Sequence, residues 1–219
     1  MNKASFFSRS RALKFAAAVL LLLALLAAPA PRASEASFFC ACCAEPGEWF
    51  ENTGKMESHE AAELRNIKFD ATAKLYLTAA GYEGTKGLPA QYDSFKLSDS
   101  FGRALALTLV FTGERGETGS LVLRLPQVAT TFGADLRDHP EGSAGPILYK
   151  EWRFTGTARG TGMFRKSVAP GTKFRLIFQG RGNNCLSSTD FQHWRLDITG
   201  PRADYAFYGA LSGAESGTE

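Results

Sequence analysis

Leu105, Leu107, Leu109 and Phe111 stand at every second position of one run, with Ala104, Ala106, Thr108 and Val110 between them. That is the period of a β-strand, whose successive side chains point to opposite faces. Both sets are largely apolar, so the run predicts a strand in the middle of a sheet, covered on both sides. The habit recurs along the chain. Leu75 and Leu77 flank Tyr76, and Leu121, Leu123 and Leu125 make the next run. Leu148, Lys150, Trp152 and Phe154 share one side against Tyr149, Glu151 and Arg153. Phe174, Leu176 and Phe178 follow, then Trp194, Leu196 and Ile198, then Tyr205 and Phe207. Turn-forming Gly, Pro and Asp separate the runs, and the stretch FTGERGETG at 111–119 reads as a hairpin loop. Seven or eight short strands of this kind predict an all-β fold, mainly an antiparallel sandwich or small barrel. No helical stretch lies between successive strands, which argues against a parallel βαβ fold.

One segment breaks the rule. Met56, Glu60, Leu64 and Ile67 recur at spacings of three and four, which predicts one short amphipathic helix over 55–69.

The N-terminus constrains the compartment. Lys3, Arg9, Arg11 and Lys14 precede an apolar stretch from Phe15 to Ala28, and Pro29, Ala30 and Pro31 follow. A basic head, a short apolar core and a small-residue exit predict a secretory signal peptide over 1–33, cleaved on export. The apolar core is shorter than the ~20 residues that span a bilayer. A periplasmic or secreted location follows, with the membrane met only in transit. Arg9 and Arg11 are separated by Ser10, unlike a twin-arginine signal. The remaining chain divides into a Cys-rich N-terminal segment at 34–54, a single β-rich domain at 55–211 and a disordered polar tail at 212–219.

Cleavage also changes the charge. Residues 1–33 hold five bases and no acid, and the whole chain has 25 bases and 22 acids, which leaves 20 against 22. A mature protein without basic excess is not expected to bind nucleic acid.

Cys40, Cys42, Cys43 and Cys185 all follow the signal, in an oxidising compartment. A Cys42–Cys43 bridge is vicinal and a Cys40–Cys42 bridge closes a very tight ring. The spacing therefore favours a disulfide between Cys185 and one of Cys40, Cys42 and Cys43. It would close a loop worth about 4–5 kcal/mol in the chain-entropy model. The alternative is a thiolate metal site on Cys40, Cys42 and Cys43.

Candidate chemistry is sparse. His59 and Glu63 stand four apart on the predicted helix, but a helical zinc-protease motif needs His at both ends, so a solvated pair is the plainer reading. His193, Arg195 and Asp197 share the polar side of one strand, with Asp190 just before it. His193 with Asp190 could do general acid–base work, with Cys185 as a possible nucleophile. The competing expectation is an outward sheet face of cross-strand charge pairs. Trp152 and Trp194 share parity with aliphatic residues and are expected in the core, whereas Trp49 is free to contact a ligand. Arg195 and Asp197 are the other ligand-contact candidates.

Two short segments carry a resemblance. Gly47-Glu48-Trp49-Phe50-Glu51 is similar to the Gly-x-Trp opening of lipocalins, and Thr189-Asp190-Phe191 with Trp194 is similar to their later Thr-Asp-Tyr motif. The resemblance implies an eight-stranded barrel with an apolar ligand cavity. The chain departs from the pattern in the long separation of the two motifs and in the helix after the first.

These readings converge on an exported binding or interaction module with no cofactor, whose partner is an extracytoplasmic ligand or protein. The alternatives are a hydrolase using His193 and Asp190, a thiolate metal-binding protein and a lipocalin-like carrier.

Overall fold

Alternation becomes strand throughout the computed structural model, which describes residues 47–76, 86–88, 93–137, 147–182 and 187–212. The segment read as a signal peptide, all four cysteines and the tail beyond Ser212 lie outside the described residues. So do the expected disulfide and the thiolate metal site. The order is β1 (Trp49–Lys55), α1 (Ser58–Asn66), β2 (Thr72–Tyr76), β3 (Ser94–Phe101), β4 (Ala106–Thr112), β5 (Thr118–Arg124), β6 (Val128–Ala134), β7 (Leu148–Gly160), β8 (Lys173–Gly182), β9 (Phe191–Gly200) and β10 (Ala203–Ala210). Among the described residues no helix is long and apolar enough to cross a membrane.

The strands form one antiparallel sheet that closes on itself. Neighbours run β7-β5-β4-β3-β2-β10-β9-β8, and β8 pairs back to β7. The result is an eight-stranded barrel, so of the two architectures expected the barrel is the one formed. Closure pairs β7 with β8, the strands that an open eight-stranded sheet would leave as edges.

β5 and β6 lie end to end along one edge of β7. Leu121 faces Gly160 and Leu123 faces Ala158, whereas Thr130 faces Arg153 and Ala134 faces Tyr149. The register slips by two residues across the break, where Pro126 has no N–H to give the ladder. β1 pairs the other edge of β6, from Trp49 opposite Ala134 to Lys55 opposite Val128. The sheet therefore begins before residue 55, inside the segment that the sequence set apart as Cys-rich.

The inward set is the apolar set. Trp152, Phe154, Phe178, Trp194, Leu196 and Phe207 are all buried. Aromatic rings meet across the interior, with Phe111 and Phe207 centroids 4.4 Å apart and Phe111 and Phe164 5.3 Å apart. Burying each such side chain contributes about 1.5–3 kcal/mol. The expectation that β4 is covered on both faces is corrected: Leu107, Leu109 and Phe111 are buried, but Val110 is exposed. A barrel wall has one dry face, and the outward apolar residues of β4 stay at the surface.

Helix α1 is shorter than the periodicity suggests, because β1 runs through Lys55 and the chain is extended again at Ile67. Glu57 and Glu60 make a reciprocal capping box, in which the Glu57 N–H donates to Glu60 Oε2 at 2.6 Å. Burial pushes the Glu60 carboxyl above its ordinary value. Leu64 and Ile67 join the core.

Candidate functional site on the outer barrel face

Since Trp194, Leu196 and Ile198 point inward, β9 must present His193, Arg195, Asp197 and Thr199 outward. Register sets their neighbours. Gln179 and Arg175 of β8 stand beside His193 and Asp197. Tyr208 and Ala206 of β10 stand beside Arg195 and Asp197 on the other flank. Beyond them, β2 brings Lys74 beside Tyr208 and Tyr76 beside Ala206.

Asp197 organises this face. It accepts from Arg195 Nε at 2.7 Å and from Arg175 Nε at 2.9 Å. Arg195 lies over the Tyr76 ring, its guanidinium carbon 4.9 Å from the centroid. Tyr76 meets Tyr208 edge-on at 6.2 Å, and both rings remain exposed. A guanidinium held by a carboxylate and an aromatic face has few rotamers left to lose on binding. Two open hollows flank it and share Tyr76 and Arg195. One, of about 830 Å³, also includes Thr155, Arg175, Asp197 and Asp204. The other, of about 1040 Å³, includes Lys74, Gln179, His193 and Tyr208.

The acid–base and ligand-contact candidates separate into three places. His193, Arg195 and Asp197 share the outer groove. Asp190 does not join them. It ends the 3₁₀ turn Ser188–Asp190, and its carboxylate turns inward to Lys150 Nζ at 2.6 Å. Gly180 and Gly182 leave the room: a Cβ at Gly180 would lie 1.8 Å from the Asp190 carbonyl oxygen. The His193–Asp190 pair considered from sequence is therefore not assembled. Among the described residues no carboxylate hydrogen-bonds His193, and Cys185 lies outside them.

Trp49 occupies the third place, on β1. It is 68% exposed and stacks on Phe132 at 6.2 Å. Arg153 lies over the same Phe132 ring at 5.0 Å and donates to Glu51 Oε2 at 2.9 Å and to Glu151 Oε2 at 2.5 Å. Glu151 also accepts from the Tyr149 hydroxyl at 2.5 Å and from Gln179 Nε2 at 3.1 Å. Burial works to raise the Glu151 carboxyl, but these donors outweigh it and hold it below its usual value. Burial, then the bond to Glu151, pushes the Tyr149 hydroxyl up to about 12.

His59 and Glu63 serve different partners. His59 Nδ1 is 3.2 Å from Glu57, while Glu63 accepts the Ser188 N–H at 2.8 Å. That backbone bond, first among several, lowers the Glu63 carboxyl. Among the described residues no group of three or more His, Cys, Asp or Glu is placed to hold a metal ion.

Comparison with protein-family models, curated proteins and solved structures finds no match for the chain. The eight-stranded barrel that the lipocalin resemblance implies is present, but its inner face carries the protein's own packed rings. The two large hollows lie outside.

Proposed function

We propose that this protein is an exported, non-catalytic binding module whose ligand seat is the outer groove over β8, β9, β10 and β2. The observation that carries the proposal is the fixed position of Arg195 between Asp197 and the exposed Tyr76 ring. A pre-positioned cation, two accessible tyrosines and an adjoining histidine make a polar recognition surface with an aromatic floor. The balanced charge of the chain after its first 33 residues fits a periplasmic or secreted partner without nucleic-acid character. The inward turn of Asp190 leaves the hydrolase reading with less support, and the ring-filled interior does the same for an apolar carrier.

A screen of the exported protein against immobilised glycans, peptides and lipids tests this, with Arg195→Ala and Tyr76→Ala as controls. Binding that weakens at least tenfold in both variants, with unchanged melting temperature, supports the groove. Wild-type binding that persists in both variants contradicts it.

A further inference from the structure

We infer that the ligand of this groove is an uncharged, linear glycan that crosses the strands to a second stacking subsite at Trp49. The inference rests on the groove reading above and deepens it.

The two aromatic clusters belong to one continuous face. Register places Phe132 beside Glu151, Glu151 beside Gln179 and Gln179 beside His193. The row spans four adjacent strands, β6 to β9, or roughly 14 Å at the usual strand spacing. Trp49 and Phe132 stand at one end, and Tyr208 and Tyr76 beyond the other. A chain ligand laid along this row meets an aromatic ring at each end and amides and carboxylates between.

Charge selects the class. Arg153 is held by Glu51 and Glu151, and Arg175 and Arg195 are both held by Asp197. Across the row these three guanidiniums meet three carboxylates, Glu51, Glu151 and Asp197, so the set as a whole carries no net charge to select phosphate or sulfate. What remains is a fixed array of donors and acceptors between ring faces. Sugars match it, since their C–H faces stack on rings and their hydroxyls both donate and accept. An indole left 68% exposed forgoes burial that a core position would give it, and its stack on Phe132 holds it ready. Trp and Tyr also offer large contact area with only two side-chain torsions to order.

The test begins with an array of neutral and sulfated oligosaccharides. Titration calorimetry then compares the disaccharide and hexasaccharide of the best neutral binder. The wild type is expected to hold the hexasaccharide at least tenfold more tightly. Trp49→Ala is expected to remove that advantage while leaving disaccharide affinity and melting temperature unchanged, and Arg195→Ala to weaken both ligands. Equal hexasaccharide affinity in the wild type and Trp49→Ala overturns the second subsite. Preference for sulfated chains overturns the neutral class. If no glycan binds but a peptide or lipid does so in an Arg195-dependent way, the glycan inference fails and the groove stands. If Arg195→Ala changes the binding of no ligand, both fail.

Discussion

The carboxylate of Asp190 reaches Lys150 inside the barrel, whereas His193, three residues on, is exposed on the outside. The wall of β9 stands between a carboxylate and an imidazole that are close in sequence. This relationship separates the structural role of the Thr-Asp-Phe segment from the surface role of the strand that follows it. It also predicts how the two behave when altered.

Asp190→Ala removes the carboxylate that the buried Lys150 ammonium contacts at 2.6 Å. Removing one member of a buried pair costs about 3–5 kcal/mol. Urea unfolding of Asp190→Ala should show a loss of that order, and Lys150→Met in the same chain should recover most of it. Binding at the outer groove should survive in the double variant. A loss below 1 kcal/mol in the single variant would mean that the pair is not buried in solution.

Phe207 touches Phe95, Phe111, Phe164 and Tyr205 at the centre of the barrel. Phe207→Ala should destabilise by about 3–5 kcal/mol, from lost transfer energy and the cavity left behind. Val110→Ala, on the outer face of β4, should change stability by about 0.5 kcal/mol or less. Denaturant midpoints of the two variants check the contrast. Equal effects would contradict a single dry face.

Tyr205 is held high by burial, with a smaller opposing effect of the Ser167 hydroxyl, so its phenol is pushed up to about 12. Tyr149 reaches about the same value. Both folded values lie above the ordinary phenol near 10, so their contribution to stability is full below pH 10 and is lost as pH rises towards 12. Phenolate absorbance should show at least two of the six tyrosines titrating late, with the urea midpoint falling over the same interval. All six ionising together near pH 10 would contradict the packing around these rings.

Much of this was legible in the sequence. The alternation in β7, β8, β9 and β10 separated the inward from the outward sets, with Lys150 on the inward side, whereas in β4 it was read as covered on both faces and only one is dry. Trp152 and Trp194 lie in the core as their parity indicated. Three strands were not legible, each for a local reason. β1 and β3 carry few apolar residues, since in β3 only Phe95 and Leu97 are buried. β6 points small residues inward: Gly133 faces Phe50, whose ring occupies the place where a Cβ would sit. Closure was hidden too, because a sandwich and a barrel share one period and differ only in the β7–β8 and β10–β2 pairings.

The candidate site was half visible. Parity alone placed His193, Arg195 and Asp197 on one polar face. Tyr76, Tyr208 and Arg175 come from other strands, and only register brings them there. Asp190 departed from its neighbours because the turn at 188–190 and the bulge at Gln179/Gly180 interrupt the alternation.

The seat of the ligand on the outside of a filled barrel is tested most directly by side-chain N–H resonances in a ligand titration. Arg195 Nε lies in the groove, and the indole of Trp152 lies in the core. The Arg195 signal should move to saturation with the selected ligand while the Trp152 indole signal stays in place. Movement of the Trp152 indole with an unmoved Arg195 would put the ligand inside the barrel and contradict the outer seat.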